Sequence, residues 1–237
     1  MGGKDHNSEY IMSHLFIVAT PIGNLEDISF RAVRILQEAD LILCEDTRVT
    51  KKLLDRYAIK KPLQSYHQHS KLAKTEYIMD ILASGKNLAL VSDAGTPGIS
   101  DPGGLLVEAV VKRLGNEVTI VPIPGANAAL AALSVCGFPT DRFIFLGFPP
   151  HKKGRKTFFE DIAALRETAV FYESKHRIEK ALTALAEHAE NRRIVVAREI
   201  TKQFETMYRG IPSECLAALK NDDMRGEFVV VMAPLKI

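Results

Sequence analysis

The segment SDAGTPGISDPGG at positions 92–104 holds the densest group of residues that could bind a ligand. It follows a short apolar run at 88–91 and contains four glycines and two prolines. Such a composition is expensive for a plain connection, because each glycine costs backbone entropy on folding. Asp93 could accept hydrogen bonds from a ribose or an amino group. The amides of Gly95 and Thr96, if exposed, could bind a carboxylate or a phosphate. We therefore predict a ligand-binding loop here rather than a long turn.

Two further turns could serve the same ligand. In TPIGNL at 20–25, Pro21 fixes one backbone angle and Gly23 would let a ligand approach the chain, although a strand-to-helix turn is the favoured explanation of this motif alone. The motif PGANA at 124–128 opens an Ala-rich helix, whose N-terminal amides could face an anion. No GxGxxG follows the first strand and no GxxxxGK precedes a Ser or Thr, which excludes the commonest dinucleotide and nucleoside triphosphate loops.

The strongest local concentration of positive charge is KKGRK at 152–156. Runs of charge are usually solvated surface, but cations at the start of a predicted helix oppose the helix dipole, which favours a role in binding phosphate. The side chains that would contact phosphate are Lys152, Lys153, Arg155 and Lys156.

Three aromatic residues, Tyr66, Phe148 and Tyr172, could either stack on a base or pack in the core, and both interpretations stay open.

The motif EDTR at 45–48 closes the second predicted strand. Asp46 or Thr47 could cap the helix that follows, because both side chains can accept a hydrogen bond from its first amides. Glu45 and Arg48 would then be available for contacts with a substrate or another subunit.

No metal site and no disulfide are predicted. His67 and His69 would share one face of an extended segment, but the sequence offers no third ligand. The three cysteines form no CxxC pair, which argues against a zinc ribbon and a disulfide scaffold and favours a reducing compartment. The chain has neither an apolar run of about 18 residues nor a hydrophobic N-terminal region, so we expect a cytoplasmic protein without a membrane span.

The composition fits a globular chain of two domains. The 237 residues are 46% hydrophobic and 25% charged, which provides enough apolar surface for two small cores. A formal charge of +2 excludes a protein that coats polyanions with its whole surface, so a nucleic-acid contact would need a local patch. We interpret the polar residues 1–13 as a disordered or added leader, since Met12 could equally serve as the initiator.

Apolar runs alternate with amphipathic segments along the chain, which predicts strands alternating with helices. The predicted strands are residues 15–19, 41–44, a short piece near 66, 88–92, 118–121, 143–148, 169–172, 194–197 and 227–232. Because these runs are continuously apolar, we expect two tandem α/β domains, each with a mostly parallel sheet covered on both faces. The rigid segment VPIPG at 121–125 separates an N-terminal domain at 14–123 from a C-terminal domain at 124–237.

Six ordered motifs closely resemble the tetrapyrrole (corrin and porphyrin) methylase superfamily of S-adenosylmethionine-dependent enzymes. They are TPIGNLEDIS (20–29), EDTR (45–48), SDAGTPGISDPG (92–103), PGANAALAAL (124–133), FYESKHRI (171–178) and AREITKQFE (197–205). The resemblance runs from Leu15 to about Ala233, and within the superfamily it points to the branch that methylates the 2′-oxygen of a cytidine ribose in 16S rRNA. The chain has PGANA where that superfamily more often has PGPSA, and it stops short of a C-terminal segment that many relatives carry.

The resemblance implies that the cofactor lies in a cleft between the two domains, that the protein is a homodimer, and that its partner is 16S rRNA or the small ribosomal subunit. By motif matching, the cofactor would contact Pro21, Gly23, Asp93, Gly95, Thr96, Ala126 and Asn127. Further contacts from the second domain would come from Tyr172, Ile200 and the backbone near Met232.

Methyl transfer to a ribose hydroxyl needs a group that removes the hydroxyl proton, or a cation that lowers the hydroxyl pKa. The segments ESKHR (173–177) and REITK (198–202) each follow a predicted strand and project polar groups from one edge of a sheet. The candidates for this role are Glu173, Arg198, Glu199 and Lys202. An ion-paired scaffold is an equally good interpretation of any one of them.

Two other functions stay open at this point. A methylase of small tetrapyrroles would use the same scaffold, but EDTR, FYESKHR and the basic run favour RNA, since a macrocycle would not need additional cations outside its pocket. A non-catalytic module that binds the cofactor or RNA is the second alternative, and the glycine-dense segment with Asp93 argues against it.

Overall fold

A computed structural model describes residues 13–66, 72–101 and 103–235. Among these, the residues up to Thr20 and Ile28–Gly125 make up a first compact unit, whereas Pro21–Asp27 and the residues from Ala126 onward make up a second. The predicted leader lies outside the described residues except for Ser13, which begins the first strand. His67 and His69 also lie outside them.

The first unit is built on a sheet of five parallel strands. They are β1 (Ser13–Val18), β2 (Leu41–Cys44), β3 (Leu63–Ser65), β4 (Leu88–Val91) and β5 (Val118–Ile123), in the order β3-β2-β4-β1-β5. The helices of this unit are α1 (Phe30–Glu38), α2 (Thr47–Arg56), α3 (Leu72–Ala83) and α4 (Gly103–Leu114). All pairings in this sheet are parallel, as predicted.

Strand β4 shows why the apolar runs are continuous. All four of its residues are buried, and successive side chains of a strand point to opposite faces. Ala89 and Val91 pack in one core with α1 and α2, whereas Leu88 and Leu90 pack in a second core with α3 and α4. The sheet is therefore covered on both faces, which is what a continuous apolar run in a parallel sheet indicates.

Parallel pairing brings the carboxyl ends of these strands to one edge of the sheet. Val18 lies opposite Val91 on one side and Ile123 on the other, so the segments that follow these three strands start next to one another. Ligands of open α/β sheets bind outside this edge. The glycine-dense segment follows β4 and therefore lies where a ligand is expected.

The second unit contains a sheet of different topology. Its strands are β6 (Phe143–Phe145), β7 (Thr168–Ser174), β8 (Ile194–Arg198), β9 (Thr206–Gly210) and β10 (Glu227–Met232), in the order β6-β7-β10-β8-β9. Its helices are α5 (Ala128–Cys136), α6 (Arg155–Ala164), α7 (Ile178–His188) and α8 (Pro212–Asn221). None of the helices in the described part of the chain is long and apolar enough to cross a membrane.

The α/β class is confirmed, but the prediction of a mostly parallel sheet is wrong for the second unit. Only β6 and β7 pair in parallel, whereas β10 runs antiparallel to both β7 and β8, and β9 runs antiparallel to β8. β10 inserts between β7 and β8 and is buried over five of its six residues. A continuous apolar run reports this burial and contains no information about strand direction.

Two features of the second unit differ from the sequence patterns. Strand β9 is not predicted, because it is an edge strand in which only Tyr208 is buried and no apolar run marks it. The sequence places the motif at 20–25 in the first domain, but Pro21–Asp27 groups with the second unit. Ile22 packs there in one core with Ala129 and Ile200, so hydrophobic burial decides where this turn belongs.

Gly137, at the end of α5, provides a test of this description. Its φ of 73° is left-handed, and no atom lies within 4 Å of where a Cβ would be, so Gly137→Ala should lower the free energy of unfolding by about 1 kcal/mol through backbone strain alone. The matched control is Gly104→Ala in α4, where the space is equally open and φ is not positive; there the free energy should stay constant or rise by up to about 1 kcal/mol. Urea unfolding measures the free energy of unfolding of both variants. Equal effects of the two substitutions would contradict the left-handed conformation of Gly137.

Candidate active site

The glycine loop, residues 92–101, is held against the end of β1 by Thr20. The Thr20 amide donates to the Gly95 carbonyl at 2.9 Å, the Gly95 amide donates to the Thr20 carbonyl at 3.0 Å, and the Thr20 hydroxyl donates to the Ser92 carbonyl at 3.1 Å. Gly95 has a φ of 84°, a left-handed conformation that favours glycine. These bonds fix the shape of the loop before any ligand arrives.

The prediction that the Gly95 amide is exposed to a ligand is wrong. Gly95 is buried, and its N–H is used by Thr20, because a buried amide must find a partner inside the protein. Gly95 therefore shapes the loop rather than contacting a ligand through this donor. Asp93 is exposed and Thr96 is half-buried, so both remain at the surface of the loop.

Asp93 connects the glycine loop to the segment after β2. Its Oδ1 accepts the Asp46 amide at 3.0 Å, and an ionised carboxylate has capacity for further hydrogen bonds from a ligand. Asp101 stabilises the other end of the loop, since its Oδ1 accepts the amides of Gly98 at 2.9 Å and Gly103 at 2.7 Å. Sequence reasoning did not single out Asp101, although an Asp in a glycine-rich turn is a signal for such bonds.

Asp46 is the N-cap of α2, one of the two predicted possibilities for EDTR. Its carboxylate accepts the Arg48 amide at 2.8 Å and pairs with the Arg48 guanidinium at 2.6 Å. The hydrogen bond from the Arg48 side chain is the main cause that lowers the pKa of Asp46 to about 2. Arg48 is exposed, so this pair presents a charged surface beside Asp93.

In the second unit, the start of α5 is closed by Asn127 and Tyr172. Asn127 Oδ1 accepts the amides of Ala129 at 3.0 Å and Leu130 at 3.2 Å, and the Tyr172 hydroxyl also accepts the Ala129 amide at 3.2 Å. The prediction that the N-terminal amides of this helix are open to an anion is therefore wrong for these two. Burial raises the pKa of Tyr172, which keeps its phenol protonated.

The loop between β8 and β9, residues 199–205, contains Glu199 and Lys202, two of the four candidates for handling the hydroxyl proton. Lys202 Nζ lies 2.9 Å from Glu199 Oε1 and 2.9 Å from Glu227 Oε2, and the Glu227 amide donates to Glu199 Oε1 at 2.8 Å. Glu199 and Thr201 have φ values of 50° and 67°, which are uncommon for residues with a Cβ. The sequence did not predict a role for Glu227, since it lies far from Glu199 and Lys202 along the chain.

Glu199 and Lys202 hold each other in their charged forms. Burial acts to raise the pKa of Glu199, but hydrogen bonds from the Lys202 ammonium and the Glu227 amide outweigh it and lower that pKa. Burial likewise acts to lower the pKa of Lys202, but hydrogen bonds to Glu199 and Glu227 raise it. The carboxylate loses its charge only below its ordinary range and the ammonium only above its own, so both are ionised around neutral pH.

Gly23 allows the turn at 20–25 to approach this charged loop. A Cβ on Gly23 would lie 2.3 Å from Lys202 Cγ and 3.1 Å from Thr201 Oγ1, so no other residue fits without a shift. The Thr201 hydroxyl oxygen is buried and has no hydrogen-bond partner among the described residues. Pro21 is buried at the same turn.

The other two candidates for proton handling, Arg198 and Glu173, are buried and ion-paired. Arg198 is 6% exposed, and its guanidinium pairs with Asp223 at 2.9 Å and donates to the Arg225 carbonyl at 2.7 Å. The Glu173 side chain is fully buried, so neither group can reach a substrate hydroxyl. For these two, the alternative interpretation as an ion-paired scaffold describes the structure.

The Glu173 carboxylate is neutralised by two arginines. Its Oε2 accepts from Arg155 at 3.0 Å, and its Oε1 lies 2.9 Å from Arg177 Nε. Both arginine side chains are only 16% exposed. Arg155, predicted to bind RNA phosphate, is thus a structural residue; a buried carboxylate 18 positions away in the sequence competes for it.

The other members of the basic run are at the surface. Lys152 and Lys153 are exposed and take part in no ion pair among the described residues. Lys156 is also exposed, and its ammonium lies 3.6 Å from Glu160 one helical turn away. Three of the four predicted phosphate contacts therefore remain accessible.

Three predicted residues lie mainly in the cores. Met232 is fully buried, Ile200 is 9% exposed, and Tyr66 is 7% exposed. The Met232 side chain therefore cannot touch a ligand, which leaves only its backbone, and Tyr66 packs rather than stacks on a base. No group of three or more potential metal ligands occurs in residues 13–66, 72–101 and 103–235.

Comparison with known proteins supplies an independent line of evidence. The family described as Tetrapyrrole (Corrin/Porphyrin) Methylases matches residues 14–214. Proteins named Ribosomal RNA small subunit methyltransferase I are 46% identical over 227 residues in Bacillus subtilis (95% of this chain, 77% of the relative) and 45% identical over 219 residues in Halalkalibacterium halodurans (92% and 75%). A solved cobalamin biosynthetic enzyme, cobalt precorrin-4 methyltransferase, has a TM-score of 0.67 over 98% of each chain at 20% identity, which indicates the fold alone.

The buried Glu173 cluster generates a stability prediction. Glu173→Gln removes the only carboxylate that neutralises Arg155 and Arg177 in this cluster, so we expect the free energy of unfolding to fall by about 3 to 5 kcal/mol. The matched control is Glu160→Gln, which breaks the exposed pair with Lys156 and should cost less than about 1 kcal/mol. Denaturant unfolding compares the two variants, and equal losses would show that the buried cluster adds nothing beyond a surface pair.

Proposed function

The chain belongs to the tetrapyrrole (corrin and porphyrin) methylase family, and on that premise we propose that it transfers the methyl group of S-adenosylmethionine to the 2′-oxygen of a cytidine ribose in 16S rRNA. The observation that carries this proposal is the identity of 45% and 46%, over more than nine-tenths of the chain, with proteins named as small-subunit rRNA methyltransferases. The likeness to the cobalt precorrin-4 enzyme is far lower in sequence, at 20%, so it does not favour a tetrapyrrole substrate.

The cofactor is proposed to bind at the glycine loop of the first unit. When bound, S-adenosylmethionine supplies a methyl group activated by a sulfonium. The exposed Asp93 carboxylate can accept hydrogen bonds from its ribose or amino group, and Thr96 lies beside it in the same loop. Gly95 contributes by shaping the loop through its left-handed φ and its two bonds to Thr20. A preorganised loop suits this reaction, in which positioning is the main requirement.

Further cofactor contacts are proposed in the second unit. The residues concerned are Pro21, Gly23, Ala126, Asn127, Tyr172, Ile200 and the backbone near Met232. Asn127 and Tyr172 act there by organising the start of α5, since both accept the Ala129 amide. The family as a whole uses this cofactor, and the individual contacts are our proposal.

Lys202, oriented by Glu199 and Glu227, is proposed to act on the ribose hydroxyl. An ammonium has three N–H donors, and the two carboxylates account for two of them, which leaves one for the hydroxyl oxygen. A cation that donates a hydrogen bond to this oxygen lowers the pKa of the hydroxyl and stabilises the alkoxide as the proton passes to solvent water. Because its pKa is raised, Lys202 works as a cation and not as a neutral base.

The substrate is proposed to be 16S rRNA in the small ribosomal subunit, met in the cytoplasm by a homodimer. Phosphates would be contacted by Lys152, Lys153 and Lys156, the exposed members of the basic run. The two alternatives, a methylase of small tetrapyrroles and a non-catalytic binding module, make different predictions in one experiment.

That experiment incubates the purified chain with tritiated S-adenosylmethionine and small ribosomal subunits that lack the modification. We expect label in 16S rRNA, recovered after digestion as 2′-O-methylcytidine, and none with subunits that already carry the methyl group. A tetrapyrrole precursor serves as the competing acceptor. Label on the tetrapyrrole alone would support the small-molecule alternative, and cofactor binding without label on either acceptor would support the binding module.

A second experiment tests the role of Lys202. Lys202→Met should reduce the single-turnover rate of methyl transfer roughly 10²- to 10⁴-fold, because the hydroxyl proton then leaves without a nearby cation. Lys220→Met is the control, since Lys220 is also ion-paired, with Glu179, but lies in α8. Calorimetry should give unchanged cofactor affinity for both variants, and a near-normal rate for Lys202→Met would remove this residue from the reaction.

A further inference from the structure

We propose that two loops of the second unit, residues 147–153 and 174–177, form one composite surface that binds a single-stranded segment of RNA by phosphate contacts and base stacking. The identity of the partner as RNA rests on the proposed function. The surface itself rests on how the buried ion cluster joins these loops and on what they expose.

The Glu173 cluster joins the two loops directly. Arg177 pairs with Glu173 and its Nη1 donates to the Pro149 carbonyl at 3.1 Å, whereas Arg155 pairs with the same carboxylate and its Nη1 donates to the Pro150 carbonyl at 3.2 Å. Each arginine therefore connects the first loop to the carboxylate of Glu173, which immediately precedes the second loop. The Tyr172 amide adds a third connection, since it donates to the Gly147 carbonyl at 2.8 Å. The relative position of the loops is fixed without any ligand.

The charged side chains that these loops expose are three lysines. They are Lys152 and Lys153 from the first loop and Lys175 from the second, and the imidazoles of His151 and His176 are exposed in the same loops. Among the residues described, none of these three lysines takes part in an ion pair, whereas Lys156 of the same basic run is paired with Glu160. The carboxylate of the cluster, Glu173, is already neutralised by two arginines. The surface therefore has positive charge available for phosphates.

An aromatic ring lies on the same surface. Phe148 is 52% exposed, and its ring packs edge-on against Tyr172 with 5.4 Å between ring centroids. Tyr172 is in turn fixed by its hydroxyl bond to the Ala129 amide and by a similar contact with Phe145. An exposed ring held in place by a second ring offers a face for an unpaired base.

Cations next to an exposed aromatic ring are typical of surfaces that bind single-stranded nucleic acid. A paired helix would hide its bases from Phe148, so a single strand makes fuller use of this surface than a duplex does. An acidic protein segment would use the lysines but would gain little from the ring. This difference separates the two partners experimentally.

The test measures binding of a fluorescent single-stranded oligocytidylate across a salt series. Phe148→Ala should weaken binding about 5- to 100-fold, because a base can no longer stack there, while leaving the salt dependence unchanged. Lys153→Ala combined with Lys175→Ala should flatten the slope of log affinity against log salt by about 0.7 for each phosphate that the variant no longer neutralises. Arg155 and Arg177 stay unmutated, because their removal would unfold the cluster.

Matched controls come from exposed residues elsewhere. Phe143→Ala removes a ring that is 40% exposed at the opposite end of β6, and Lys60→Ala with Lys86→Ala removes two exposed charges that precede β3 and β4 in the first unit. Both controls should bind the oligonucleotide like the unmodified chain. If Phe148→Ala and the double lysine variant bind the oligonucleotide as well as the control variants do, the proposed surface is overturned. Oligoglutamate that competes fully with the oligonucleotide at matched charge would also overturn it.

Methyl transfer to small ribosomal subunits, measured in parallel, separates this proposal from the proposed function. If the unmodified chain methylates rRNA and the loop variants bind oligocytidylate normally, the surface is refuted and the function stands. If the loop variants lose oligocytidylate binding but the unmodified chain methylates no rRNA, the surface is supported and the function is refuted.

Discussion

Burying a polar group is costly unless it is hydrogen-bonded or ion-paired, and this cost largely decides which groups of the chain are available for chemistry. For this reason the Gly95 amide donates to Thr20, the first amides of α5 donate to Asn127, and the Arg198 guanidinium pairs with Asp223. Each of these groups looks available in the sequence. The groups left for a ligand are those that stay at the surface, such as the exposed Asp93 carboxylate.

Two of the ion clusters in the described part of the second unit, those around Glu173 and Lys202, show the consequences of different burial. Around Glu173 the carboxylate is fully buried and two arginines saturate it, so the cluster acts as a structural connection between loops. Around Lys202 the lysine side chain is 27% exposed, and its ammonium is shared by Glu199 and the largely exposed Glu227. Of these two clusters, the one around Lys202 combines charge with access, because solvent-exposed atoms can exchange water for a substrate.

Glycines and residues with positive φ lie where two segments of the chain approach each other closely. Gly95 adopts a left-handed φ to form its bonds with Thr20, and Gly23 leaves room for Lys202. Glu199 and Thr201 adopt positive φ values despite having a Cβ, which costs of order 1 kcal/mol or more each. Such strain persists only where surrounding contacts impose it, here the bonds between the β8–β9 loop and Glu227.

The sequence alone determined the α/β class, the limits of β2 and β10, and the glycine-rich segment at a strand end, because hydrophobic periodicity and turn chemistry are local properties. It also contained six ordered motifs, enough to indicate the family. Only the tertiary structure decided that β10 inserts between β7 and β8, that Pro21–Asp27 joins the second unit, and that Arg155 serves Glu173 instead of phosphate. Strand direction, core membership and ion pairing depend on residues distant in the chain, and a local pattern contains no record of which distant partner competes for a group.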